Sequence, residues 1–332
     1  MGIWSGPSLF HVEKDNASSC SSCCRRLRAS RTLAILGLLC IGLTVYRGRD
    51  KESRNDASRQ RIRGGRERPP APIPPQLIAT GKAASPGALP EAVRGNIEQT
   101  AGLNPGLRLR YFSDRDCHEY VKKHYDSELA GIYSRESAGH FRGDICRAAI
   151  LLREGGFYTD VDVQMKAPFS DMVGNGTSFL SVFTPDGSIL NAVMAAGPGN
   201  AILDRTLKEV RRWYQHQSAS EEEFGHGEGE WMGTVTLRRG IESLMRNHCP
   251  GTELSSQREK QELEWNCGGH QLRMYQEDRI ICNPLEPTEE CPNERMDTMF
   301  EGLMYGIFVP GTRKLVAWSR VITCTDWWCG GR

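Results

Sequence analysis

Two aspartates behind a double glycine constrain this chain more than anything else in it. Asp160 and Asp162 follow Gly155-Gly156, which closes a helix-patterned run from Asp144 to Glu154 that contains neither Pro nor Gly. Within that run Ile145, Ala148, Ala149 and Leu152 recur at the three-and-four spacing of a buried stripe. Asp144 and Arg147, three residues apart, share one helix face. The glycines supply the positive φ that ends a helix, and Phe157, Thr159, Val161 and Val163 then alternate with Tyr158, Asp160 and Asp162. The pattern predicts one strand through Val163 with both aspartates on the same side, their Cα atoms about 6.6 Å apart at about 3.3 Å per residue. Such an oxygen-only pair suits Mn²⁺ or Mg²⁺ better than Zn²⁺. Without a cation the two carboxylates repel and hold protons more tightly.

The array Asp144-x-x-Arg147, an apolar helix, then Gly155-Gly156-x-Tyr158-x-Asp160-x-Asp162 resembles the DXD-containing sugar-transferase family. That family includes initiation-specific mannosyltransferases, inositol-phosphoceramide mannosyltransferases and galactosyl- or N-acetylglucosaminyltransferases. Three further segments are similar to it in the same order: Ile73 to Lys82 as an opening strand, Asn104 to Asp114 leading into a second strand, and Asn191 to Ala196 with Pro198-Gly199 beyond the metal site. The resemblance implies a GT-A type fold, a Rossmann-like α/β sandwich, with a nucleotide-sugar donor. It implies that Asp160 and Asp162 hold Mn²⁺ (or Mg²⁺) on the donor diphosphate and that Asp144 and Arg147 contact the donor sugar and its phosphate side. Thr80 at the end of the first strand, Tyr158 and Asn191 join them as donor contacts. A cation and a guanidinium at the leaving diphosphate would stabilise charge that grows in the transition state. Many relatives carry a His and a Ser-Trp pair near the end of the domain; here Val316-Ala317-Trp318-Ser319 offers the Trp and Ser without the His, and a third metal ligand is unassigned.

Thr32 to Tyr46 is a run of about 15 weakly polar to apolar residues, spanning about 22 Å as a helix. It is short for a bilayer core of about 30 Å, but Arg28, Arg31, Arg47 and Arg49 flank it and can snorkel. A signal anchor, a cleaved signal peptide and a buried helix are the three readings, and arginines on both sides of a late-starting segment favour the first. Arg47 to Pro75 is rich in Arg, Ser, Gly and Pro, as a flexible stem is. The expected layout is a cytoplasmic tail at 1–31, a transmembrane helix at 32–46, a stem at 47–72 and a luminal domain at 73–332. The positive-inside rule does not orient the span, because arginines stand on both sides.

Residues 1–68 hold 14 Lys+Arg against 6 Asp+Glu, leaving 28 and 35 for the rest, so a basic stem precedes a mildly acidic domain and nothing points to nucleic acid. Eight cysteines follow the span: Cys117, Cys146, Cys249, Cys267, Cys282, Cys291, Cys324 and Cys329. An even number suits an oxidising compartment, although Cys146, in the site helix, reads equally as a plain buried thiol. Asn175-Gly176-Thr177 is a glycosylation sequon, usable in a lumen. Cys20, Cys23 and Cys24 are palmitoylation candidates or a chance cluster.

Leu107–Phe112 and Ser178–Phe183 read as strands, Leu203–His216 and Val235–Asn247 as helices, and Pro250–Gly269 as a polar loop or excursion over the site. Glu221–Glu223 and Gly225-His226-Gly227 read as a loop, and Trp318, Trp327 and Trp328 as core or acceptor-stacking residues. The expectation is a retaining, single-pass Golgi (or ER) hexosyltransferase using GDP-mannose or a UDP-hexose and a glycan or glycolipid acceptor. A degenerate luminal sugar-binding or scaffold protein of the same fold is the alternative, and a metal-dependent phosphodiester hydrolase the third.

Overall fold

The structure is a computed structural model and describes residues 70–216, 232–281 and 303–319. The expected tail, membrane span and most of the stem lie outside the described residues, as do Glu221–Glu223, His226, Trp327, Trp328 and the cysteines other than Cys117, Cys146, Cys249 and Cys267. Among the described residues no helix is long and apolar enough to cross a membrane.

The first half is a parallel α/β unit. Strand β1 (Gln76–Gly81) buries Leu77, Ile78 and Ala79, and helix α1 (Glu91–Leu103) returns the chain to β2 (Arg108–Ser113), parallel to β1 in a register that runs from Gln76↔Arg108 to Gly81↔Ser113. Ser113 and Asp116 form a reciprocal capping box that starts α2 (Asp114–His124), and Asp126 caps α3 (Ser127–Arg135). Helix α4 (Gly139–Glu154) begins five residues before the sequence pattern suggests and buries Ile145 to Leu151. Its end is set sterically. Gly155 and Gly156 have φ of 70° and 117°, and a Cβ on either would sit 2.8 Å from Pro198 or from the Gln76 side chain. Strand β3 (Gly156–Thr159) then pairs parallel with β1.

The described chain continues through β4 (Gln164–Met165), α5 (Phe169–Met172), β5 (Thr177–Phe183), β6 (Ile189–Ala196), α6 (Ala201–His216), α7 (Met232–His248), α8 (Leu254–Glu259), β7 (Glu264–Cys267), β8 (His270–Ile281), β9 (Leu303–Phe308) and β10 (Leu315–Ser319). The strands form one mixed sheet in the order β2-β1-β3-β6-β5-β8-β9-β10-β4, with β7 added on β8. This order forces the sheet to curl. From β3 to β4 it runs through about six steps, about 29 Å if flat at about 4.8 Å per step. The chain from Thr159 to Gln164 can span only about 18 Å even when fully extended. It is in fact turned, since the Val163 amide donates to the Asp160 carbonyl at 3.2 Å. The sheet therefore closes on itself, and the closing link is the segment that carries Asp160 and Asp162.

The predicted strand through Val163 is thus corrected. The Asp160 amide makes the last rung, to the Ala192 carbonyl at 2.8 Å, and the chain then leaves the ladder. It must do so to reach β10, where Gln164 pairs with Trp318. Val161 packs beside Leu89, Val93 and Ile97, its carbonyl accepting from the Asn96 side chain, while Val163 is buried in the core. Both valines anchor the turn and leave the aspartates for the cavity.

Pro250–Gly269 is likewise not a plain loop, because it holds α8 and β7. Cys146 is not a free thiol. It is bonded to Cys117, tying α4 to α2, and Cys249 is bonded to Cys267. Trp318 is core, 2% exposed. Helices α6 and α7 lie against α4 on one side of the sheet, so closely that a Cβ on Gly240 would be 2.5 Å from the Thr206 hydroxyl.

Candidate active site

Spacing on α4 places His140, Asp144 and Arg147 on one face, and all three line a cavity of about 510 Å³. Asp160 and Asp162 line the same cavity, with Asn191 from β6, the Thr184–Ser188 hairpin between β5 and β6, Thr234 from α7, and Arg279, Tyr305 and Ser319 from β8, β9 and β10. The aspartate turn follows the carboxyl end of β3, the place where α/β sheets bind ligands.

Arg147 is the hub. It is only 6% exposed, and its Nη1 donates to Asp160 Oδ2 at 2.9 Å, to the Asn191 carbonyl at 3.0 Å and to Asn191 Oδ1 at 3.1 Å. Its Nη2 lies 3.4 Å from Asp144 Oδ1, and its guanidinium carbon sits 4.8 Å over the Tyr158 ring. Burial works against its charge, but Asp160, the Tyr158 hydroxyl and Asp144 outweigh burial and raise its pKa. The pair with Asp144 is therefore one strand of a buried network, not an exposed helix-surface contact.

Asp144 is nearly buried. Its Oδ1 accepts from Asn191 Nδ2 at 2.8 Å, and it takes a backbone hydrogen bond from Gly233 in the first described turn of α7. Burial pushes its pKa from 3.8 up to about 6; Arg147 and the two hydrogen bonds oppose the rise and the Asp160 charge adds to it. Gly233 has no room for a side chain: a Cβ there would be 2.2 Å from Asp144 Cγ and 2.3 Å from Asn191 Nδ2. Sequence reasoning missed this residue. Its signal is a glycine beside a helical pattern, which costs about 1 kcal/mol against alanine and so implies a packing reason.

Tyr158 and Thr80 stand behind the wall. Tyr158 is 0% exposed; its hydroxyl donates to Asp160 Oδ1 and lies 2.9 Å from Thr80 Oγ1. Burial raises the Tyr158 pKa far above the usual range, so the hydroxyl stays protonated and donates. Neither residue lines the cavity, and both bear on it through Asp160. The structure thus joins Thr80, Tyr158, Asp160, Arg147, Asn191 and Asp144 in one bonded chain, with Asp162 two residues from Asp160 on the same turn. His140 was not foreseen. Burial lowers its pKa, with Glu136 opposing and Arg147 adding to the shift, which keeps its ring neutral near pH 7.

The donor set fits a hard divalent cation in part. Two carboxylates of one turn line an open cavity, which suits Mg²⁺ or Mn²⁺ completed by diphosphate and water oxygens. Among the described residues no group of three or more His, Cys, Asp or Glu stands ready for a metal.

Residues 90–180, which contain this helix and turn, match the family described as glycosyltransferase sugar-binding region containing DXD motif. Over that stretch the chain is similar to the DXD-containing region of glycosyltransferases, a class of enzymes that transfer sugars. It is 24% identical over 128 residues to "Uncharacterized glycosyltransferase L373" of Acanthamoeba polyphaga mimivirus, an alignment covering 37% of this chain and 50% of that protein. The chain thus spans about half the length of the curated relative it matches. Among solved structures, "PaToxG Glycosyltransferase" aligns over 58% of this chain and 76% of its own at 18% identity and a TM-score of 0.34. Another, the structure of a transferase mutant with two cysteines replaced by serine, aligns over 48% and 89% at 11% identity and a TM-score of 0.27.

Proposed function

We propose that the protein is a retaining, metal-dependent GT-A type hexosyltransferase that moves a sugar from a nucleotide donor to a hydroxyl of a glycan or glycolipid. Mannose from GDP-mannose is the first choice, with galactose or N-acetylglucosamine from a UDP donor next. The observation that carries the reading is the convergence of Asp144, Arg147, Asp160 and Asp162 on one cavity, whose size is that of an ordinary ligand site.

Asp160 and Asp162 would hold a divalent cation, Mn²⁺ or Mg²⁺, which supplies positive charge against the departing diphosphate. Asp144, fixed by Asn191 and the Gly233 amide, keeps acceptor lone pairs for sugar hydroxyls and sets donor orientation. Arg147 spends its hydrogen bonds on Asp160 and Asn191, so its part is to hold the carboxylates in place and balance their charge. Tyr158 and Thr80 fix the other oxygen of Asp160. In a retaining transfer the acceptor oxygen attacks the face the diphosphate leaves, and a leaving phosphate oxygen takes the acceptor proton. The proposed setting is the Golgi or ER lumen, on one N-terminal membrane helix. The two disulfides among the described residues and an exposed Asn175 in a surface turn accord with an oxidising, glycosylating compartment.

A second reading, a sugar-binding or scaffold protein without turnover, is favoured by one feature: both Asp160 oxygens are already taken, by Arg147 and Tyr158. Nucleotide release separates the two. The full chain in detergent, with Mn²⁺ and GDP-mannose, UDP-galactose or UDP-N-acetylglucosamine, is expected to release nucleotide from one donor and to lose that activity in Asp162→Asn. Sugar binding without release from any donor would support the second reading instead.

A further inference from the structure

The wall of the cavity facing away from α4 has a charge that the donor reading leaves unused. Arg279 on β8 stands opposite Tyr305 on β9, and Tyr305 stands opposite Ser319 on β10, so the three form one row across the curled sheet. All three line the cavity. The Arg279 guanidinium lies 6.0 Å from the centroid of the Tyr305 ring, and among the described residues it makes no hydrogen bond or ion pair. The acids near it are occupied elsewhere. Glu277, on the same face of β8, accepts from the Ser319 hydroxyl at 2.5 Å. Asp186 turns one oxygen back into its own hairpin, accepting from the Thr184 hydroxyl and the Ser188 amide.

We propose that Arg279, beside the Tyr305 ring, is a subsite for an oxyanion carried by the acceptor, so that the acceptor is a phosphate- or carboxylate-bearing sugar or polyol. The inference rests on the transferase reading above. A guanidinium lying on an aromatic ring keeps its N–H edge free, and that planar edge matches two oxygens of a phosphate or carboxylate. Arg147 is consumed by the carboxylates around it, so among the described lining residues Arg279 is the guanidinium left for a ligand, in a cavity that Asp144, Asp160, Asp162 and Asp186 also line. Distance separates this anion from the donor diphosphate. The row reaches the aspartate turn through Ser319, whose neighbour Trp318 pairs with Gln164, so Arg279 lies three strand steps away along the curled sheet, at most about 14 Å at about 4.8 Å each. A diphosphate gripped at the turn is too short to fill both places, whereas an acceptor lying along the row reaches Arg279 with its anion and the turn with its hydroxyl.

The test is equilibrium binding of three matched pairs to the full chain, with Mn²⁺ and GDP or UDP present: mannose and mannose phosphate, inositol and inositol phosphate, lactose and sialyllactose. The anionic member of at least one pair is expected to bind roughly 10- to 100-fold tighter than its neutral partner. That preference should fall close to parity in Arg279→Gln and persist in part in Arg279→Lys. No preference in any pair, or a preference that Arg279→Gln leaves intact, would overturn the proposal. So would a loss that falls on GDP or UDP affinity instead, which would place Arg279 on the donor. Donor turnover measured alongside reports on the transferase reading separately, because the paired binding comparison reads Arg279 whether or not sugar is transferred.

Discussion

Replacing Gly233 with alanine tests whether α7 really closes on the site. A Cβ at that position would meet Asp144 Cγ at 2.2 Å and Asp144 Oδ2 and Asn191 Nδ2 at 2.3 Å, where ordinary carbon contacts are about 3.5–4.0 Å. The overlap exceeds 1 Å against three atoms, so either α7 moves outward or Asp144 rotates away. Overpacking of this kind costs about 1–3 kcal/mol. Rotation also forfeits the hydrogen bonds from Asn191 and the Gly233 amide, and bonds to a charged group are worth about 1.5–3 kcal/mol. Against that, alanine gains about 1 kcal/mol of helix propensity. The expected net loss is roughly 2–4 kcal/mol. The matched control is Gly95→Ala in α1, where a Cβ meets nothing within 4 Å, so the propensity gain stands alone at about 0.5–1 kcal/mol. Urea unfolding followed by tryptophan fluorescence reads both. If Gly233→Ala proved neutral, or stabilising like Gly95→Ala, the packing of α7 on Asp144 would be refuted, and with it the assignment of Asp144 as a preset group.

Asp144 gives a pH dependence with a definite sign. Its carboxyl is raised in the fold from 3.8 to about 6, so the stability tied to its proton is fully present below the lower value and is lost as pH climbs through the higher one. Asp144→Asn cannot ionise, so its stability relative to the unsubstituted protein should improve by about 2 kcal/mol between pH 4 and pH 7, as read by urea midpoints without added metal; a flat difference would contradict a buried carboxyl that the fold makes less acidic. Removing the Cys117–Cys146 bond by paired alanine substitutions should cost about 3.5 kcal/mol, since the linked residues are 29 apart, and an unchanged unfolding midpoint would count against it. Tyr158→Phe leaves Asp160 Oδ1 and Thr80 Oγ1 without their shared partner and should destabilise by about 1–3 kcal/mol, with a parallel loss of nucleotide affinity in calorimetry; loss of neither would place the Asp160 carboxylate elsewhere.

Much of the site could be read from letters because it is built on local periodicity. His140, Asp144 and Arg147 share a face through three-and-four spacing, and the double glycine fixes where α4 must stop. What local pattern could not supply was the end of β3. Alternation from Phe157 to Val163 reads as strand, but the chain departs at Asp160 because its next partner is β10, about 150 residues away in sequence, and no window of residues encodes that pairing. The same limit hid Gly233 and Arg279, which reach the cavity only through the packing of α7 and the curl of the sheet. Cys146 was ambiguous for a related reason: a buried cysteine in a helix reads as a thiol until α2 brings Cys117 beside it.

The departure at Asp160 is also what makes the pair useful. Had the strand run on through Val163, its aspartates would have stood beside the backbone of a neighbouring strand, and the sheet would have had no short link with which to close. Because the link turns, Val161 and Val163 take the apolar positions, pinned by α1 and by the core, and the carboxylates between them are left to the cavity. Closure of the sheet and presentation of the two acids are therefore one structural event. A change that loosens the turn, such as loss of the Asn96 bond to the Val161 carbonyl, should weaken fold and site together rather than either alone.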